Sequence, residues 1–155
     1  MSGFDRDIAD IVAGVWDSVF GTSVVEEDVV RVAARRGRIW SAVLTITGAW
    51  DGAVAVQAGE DLVRRAAAAM FGGDPQAISS GQMHDALGEM TSRVGGNFQV
   101  LLPAPSRLAA PVIVQGDDFG LRLPNAAQVL QSAFRSGQDV CCVRVFQRLP
   151  ERGAS

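Results

Sequence analysis

The sequence predicts an α/β protein of the α+β type, from three features read together. Ile8, Ile11, Val12, Val15 and Val19 recur at helical spacing near the start of the chain. From Trp40 the pattern turns to alternation: Trp40, Ala42, Leu44 and Ile46 are apolar while Ser41, Thr45 and Thr47 are polar, as in a strand with one buried face. The helical period returns between Asp85 and Asn97, before further extended runs close the chain. Helices and strands thus come in mixed order.

Taken in order, the first helix spans about residues 4 to 20, with Gly21 just past its end where a left-handed cap is favoured. Val24-Val25 and Val29 to Val32 read as an extended or loosely paired segment. Gly48-Ala49-Trp50-Asp51-Gly52 makes a short turn into Ala53 to Gln57, a hairpin with glycine at both ends of the turn. Glu60 and Asp61 begin the next helix, where acids meet the positive end of its dipole. Ala66 to Ala69 continue it with strong helix formers until Gly72-Gly73 and Asp74-Pro75 stop it. Ser79 and Gln82 have capping-box spacing for a third helix, which runs to about Leu102 and ends at Pro103-Ala104-Pro105. Leu108 to Gln115 reads as one strand near an edge or carrying a bulge, because Pro111 cannot donate to a ladder. Val129 to Arg135 and Val140 to Arg148, around Ser136-Gly137-Gln138-Asp139, read as a closing hairpin.

The third helix carries two different surfaces. At about 100° per residue, Leu87, Met90, Thr91 and Val94 fall on one side, and Asp85, Glu89, Ser92 and Gly96 on the other. One side packs and the other is presented. A carboxylate three residues before a small hydroxyl, with a glycine a turn later that leaves the backbone bare, suits insertion into a partner's site. Asn97 lies about 80° around the helix from Glu89 and is expected to bond nearby backbone.

Asp85, Glu89, Ser92, Gly96 and Asn97 stand in a pattern that resembles the active helix of the CheC/CheX/FliY chemotaxis phosphatases, Asp-x-x-x-Glu-x-x-Asn followed by Gly-Asn, and the single copy is most similar to CheX. Similar segments flank it: Thr45-Ile46-Thr47-Gly48 with Gly52 to Val56, the Glu60 to Phe71 helix with Gly72-Gly73, and Ala110 to Gly116. The resemblance extends from about residue 4 to about residue 146. It implies a mixed, mostly antiparallel sheet with long helices packed on one face. It also implies a partner, the receiver domain of a response regulator such as CheY, and hydrolysis of that partner's aspartyl phosphate. In the family, the asparagine amide holds the attacking water in line with phosphorus while the glutamate grips a basic residue of the regulator. On this chain the resemblance gives Glu89 and Ser92 the catalytic positions and Asp85, Glu89 and Gly96 the partner-binding ones.

Ser92 stands where the family carries asparagine. An amide offers a donor and an acceptor on a longer arm than a serine hydroxyl. Where catalysis rests on positioning, about 1 Å of misplacement costs on the order of a hundredfold in rate. Three readings therefore stay open at this point: a phosphatase of weakened turnover, a receiver-binding adaptor without turnover, and a dimerising interaction domain with an open strand edge. Residue 92 separates the first two.

At 155 residues and 48% hydrophobic, the chain can bury a core without disulfide or metal staples. A single domain over residues 1–148 and a polar tail over 149–155 are expected. A net charge of -3 argues against nucleic acid or an anionic membrane as main partner. The acids among the first seven residues do not make a signal peptide, and no apolar run approaches a membrane span, so a cytoplasmic protein is expected. Arg35, Arg36 and Arg38 read as a solvated turn, Cys141 and Cys142 as structural thiols, and His84 as a first-turn surface residue. No clustered ligands suggest a cofactor of its own; any magnesium is expected in the receiver's acidic site. A homodimer through the strand near Pro111 is a further expectation.

Overall fold

The computed structural model describes residues 3–21, 25–33 and 35–150. Val24 and residues 151–155 of the expected tail lie outside them. The elements are α1 (Gly3–Phe20), β1 (Val25–Glu27), α2 (Val29–Ala33), β2 (Ile39–Gly48), β3 (Gly52–Gly59), α3 (Glu60–Phe71), a 3-10 turn (Pro75–Ala77), α4 (Ser80–Gln99), β4 (Ser106–Leu108), β5 (Val112–Gly116), β6 (Ala126–Ser136) and β7 (Asp139–Arg148). The strands form one seven-stranded sheet in the order β1-β6-β7-β3-β2. β5 lies beside Ile39 to Val43 of β2 and β4 beside Ile46 to Gly48, so the two short strands share one flank of β2. Among the described residues each pairing is antiparallel, and the sheet is α+β with no parallel element.

The main core lies between the sheet and α1, α3 and α4. Trp40, Leu44 and Ile46 of β2 and Val54 and Val56 of β3 meet Ile8, Trp16, Leu62, Met90 and Phe98 from the helices. The alternation from Trp40 therefore points its apolar set at the helices, as expected. The sheet's other face is also covered over much of its area. α2 and Phe119 close over Ile39, Ala133 and Cys142, and Leu121 and Leu123 pack on Val43, Ala53, Ala55 and Phe146.

That second cover holds a polar seam. Arg144, 9% exposed, donates from Nε to Gln57 Oε1 at 2.7 Å, from Nη1 to Gln128 Oε1 at 2.9 Å and from Nη2 to the Phe119 carbonyl at 2.6 Å. Gln57 Nε2 donates in turn to Ser41 Oγ and to the same carbonyl. Directional bonds thus tie the segment around Phe119 to the sheet, and they explain why Ser41, polar by alternation, is buried.

Two expectations change. The segment Val29–Ala33 is helical, not extended: Asp28 Oδ1 accepts from Val30 N, and Val32 N donates to the Asp28 carbonyl, so a local cap overrides the β-branched preference. Leu108 to Gln115 is two strands, not one, with Pro111 between them. The edge position expected for that region is observed.

Candidate functional site

α4 is fixed before it is functional. Ser79 Oγ accepts from Gln82 N at 3.1 Å and Gln82 Oε1 accepts from Ser79 N at 3.0 Å, the reciprocal capping box read from sequence. Met83, Leu87, Met90, Val94 and Phe98 bury one face. Thr91 sits on that face with its hydroxyl donating to the Leu87 carbonyl at 2.7 Å, which removes the cost of burying it. At Gly95 the helix approaches β2 closely: an added Cβ would stand 3.1 Å from both Leu44 methyls. The helix runs unbroken through Gly95-Gly96 to Gln99, with Leu101 and Leu102 continuing it as turns rather than helix.

The opposite face carries the predicted residues. Asp85 and Glu89 are exposed, and Ser92 and Gly96 are half-buried one step around the helix. An added Cβ at Gly96 would meet nothing within 4 Å, so its backbone is bare toward solvent. Among the described residues no hydrogen bond engages the Ser92 hydroxyl or the Asp85 carboxylate. The hydroxyl is free to hold water. Asn97 Nδ2 donates to the Arg93 carbonyl at 2.8 Å, the local backbone bond expected of it, so its amide does not replace the one missing at position 92.

Arg93 was missed. Its Nε donates to Glu89 Oε1 at 3.0 Å, and its Nη1 donates to Ser18 Oγ on α1 at 3.2 Å. Ser18 Oγ donates to the Val15 carbonyl, which aims it. The Glu89 and Arg93 side chains are 53% and 41% exposed. An exposed i,i+4 pair is worth only about 0.3–0.5 kcal/mol, so an incoming basic group can displace Arg93 from Glu89 at small cost. The spacing of a glutamate four residues before an arginine was visible in the sequence; the reach to Ser18 was not. Beside this cluster an open groove of about 500 Å³ runs between α1 and α4, floored by Ile11, Gly14 and Val15 and edged by Asp10, Ser18, Arg93 and Asn97.

Elsewhere, Cys141 and Cys142 are buried and unbridged, and burial pushes both thiols above their ordinary value, so neither offers a thiolate. His84 is exposed on the first turn of α4. Among the described residues no three His, Cys, Asp or Glu side chains come together as metal ligands, and no helix is long and apolar enough to cross a membrane.

An antiparallel sheet backed by long helices, one of them presenting an Asp85–Glu89–Ser92 face, is the arrangement that the resemblance to the CheC/CheX/FliY proteins implied. The model of one family, described as chemotaxis phosphatase CheX, matches residues 40–135, and the chain belongs to that family. Among solved structures it is similar to the chemotaxis protein CheX of Vibrio vulnificus, with 19% identity, a TM-score of 0.75 and coverage of 93% of this chain and 96% of the other. CheX of Desulfovibrio desulfuricans is 18% identical with a TM-score of 0.72, covering 92% and 97%. A CheX–CheY–BeF3–Mg2+ complex from Borrelia burgdorferi matches at 12% identity with a TM-score of 0.65, covering 94% and 98%. At such identities the likeness is one of fold. No curated protein matches in sequence.

Proposed function

We propose that this chain docks through α4 on the receiver domain of a CheY-like response regulator, with Glu89 gripping a basic residue of the regulator and Ser92 facing its aspartyl phosphate. The observation that supports this most is the presented face itself: an exposed Glu89, an unengaged Ser92 hydroxyl and a bare Gly96 backbone on a capped helix. Family membership supplies the partner class, and a CheX–CheY complex is among the similar structures. Magnesium belongs to the receiver's acidic site in this reading, and both proteins are cytoplasmic.

Ser92 sets the turnover. A serine hydroxyl beside the backbone can hold a water but holds it short of the place an amide would reach, so hydrolysis is slower than with asparagine, or absent. Exposed Val112 and Val114 on β5, at the sheet's edge, favour pairing of two copies along that strand, to be checked by sedimentation.

The deciding experiment is a phosphoryl-decay time course of receiver domains from the same genome, with and without the protein, alongside titration of wild type and Glu89→Ala. Binding that Glu89→Ala weakens supports the docking face, and accelerated decay adds the phosphatase. Binding without acceleration makes the domain an adaptor, and unchanged affinity of Glu89→Ala rejects the site.

A further inference from the structure

We propose that Arg93 selects the partner: the receivers this chain accepts carry an acidic side chain placed to meet the Arg93 guanidinium, next to the basic residue that takes Glu89. The inference rests on docking through α4 and adds a second charge requirement to it.

In the free protein the guanidinium is held from two sides, by Glu89 Oε1 and by Ser18 Oγ, with no partner at Nη2 among the described residues. It is positioned before any partner arrives, at the edge of the groove between α1 and α4. When the regulator's basic residue pairs with Glu89, one carboxylate has to serve two cations. Arg93 is then left in a covered interface with a serine hydroxyl and only a shared counter-charge. An interface that buries a guanidinium without an anion is strongly disfavoured. A partner that brings a carboxylate to Arg93 completes an exchange of one exposed intramolecular pair for two pairs across the interface. A partner that brings only the base does not.

The charges along the face have a matching order. Asp85 and Glu89 are negative toward the start of α4 and Arg93 is positive one turn further on. Asp10, exposed on the far edge of the groove, adds a negative charge on α1. The accepted acid must therefore sit over Arg93 and away from Asp10, which fixes its register as well as its sign.

The test uses receiver domains of the same genome, activated with beryllofluoride and magnesium, titrated against the full chain. For a receiver that binds wild type, Arg93→Ala weakens binding by about tenfold or more and Arg93→Glu weakens it further. Arg93→Lys keeps the charge but ends one atom short of the Nη1 that meets Ser18, and it retains more affinity than Arg93→Ala. A guanidinium that merely tethers α1 to α4 would make Lys as weak as Ala. Reversing one acidic residue on the receiver to lysine restores binding to Arg93→Glu and not to wild type. Thermal unfolding of each variant confirms that the fold is kept. Equal binding of all Arg93 variants, an Arg93→Lys as weak as Arg93→Ala, or no restoring reversal on the receiver overturns the inference while leaving docking intact. If no receiver binds wild type, docking through α4 itself fails and Arg93's role falls with it.

Discussion

Gly95 and Gly96 are neighbours in one helix, and alanine at each should move stability in opposite directions. In a helix interior alanine is favoured over glycine by about 1 kcal/mol. At Gly96 an added Cβ meets nothing within 4 Å, so nearly the whole gain is realised. Gly96→Ala should stabilise the fold by about 0.5–1 kcal/mol, a rise in Tm of about 1–4 °C for a chain of this size. At Gly95 the same methyl would stand 3.1 Å from both Leu44 methyls. Leu44 is 1% exposed in the middle of the core and cannot swing away. Overpacking of that kind costs about 1–3 kcal/mol, which exceeds the propensity gain, so Gly95→Ala should destabilise by up to about 2 kcal/mol. Urea unfolding followed by tryptophan fluorescence measures both, with an unchanged m-value as the control that the unfolded state is the same. Two shifts of the same sign, or a Gly95→Ala variant more stable than wild type, would refute the close approach of α4 to β2. Docking provides a second readout, because Gly96→Ala covers the bare backbone and should bind a receiver less well despite its higher stability.

Ser92→Asn should speed receiver dephosphorylation, and adding Glu89→Ala should abolish the gain, because the amide acts only in the docked complex; a phosphoryl-decay assay in which the single variant equals wild type counts against Ser92 as the limiting group. Arg144→Ala strips Gln57 and Gln128 of their donor and releases one hold on the segment around Phe119, and should cost about 2–4 kcal/mol in urea unfolding, with protease cleavage appearing first near residue 119. The buried thiols give a pH slope of known sign. Burial raises both above the ordinary value of 9.0, so from there upward the unfolded chain releases protons that the folded chain keeps, and stability falls as pH rises. Cys141→Ala should flatten that fall in denaturation curves taken at successive pH values.

The parts of the fold legible in the sequence are those where one local signal acts alone. The reciprocal Ser79–Gln82 cap, the glycine-bounded turn between β2 and β3, and the alternation of Trp40 to Ile46 each dictate a conformation within a few residues. The parts that were misread depend on distant chain. Val29, Val30 and Val32 have β-branched side chains, and the Asp28 cap together with the cover that α2 gives beside Phe119 makes the segment helical. Pro111 announced an interruption, but the sequence has no sign that the two halves would both find the flank of β2. At the site the angular arithmetic placed Glu89 and Ser92 outward and Met90 inward, as observed. It did not include Arg93, whose importance comes from Ser18, 75 residues earlier in the chain.

The close approach at Gly95 and the cap at Ser79 secure α4 from its buried side and its first turn, and neither involves Asp85, Glu89, Ser92 or Arg93. Changes at the exposed Asp85, Glu89 and Arg93 thus fall in the range of about ±0.5 kcal/mol that surface substitutions usually show. Inheritance of the scaffold and inheritance of the recognition code are therefore uncoupled in this helix. A lineage can drift from asparagine to serine at one position, or acquire a cation at the next, and keep a folded protein at every step. If α4 docks on regulators as proposed, duplicated copies can be assigned to different regulators by two or three codon changes, with no rebuilding of the core.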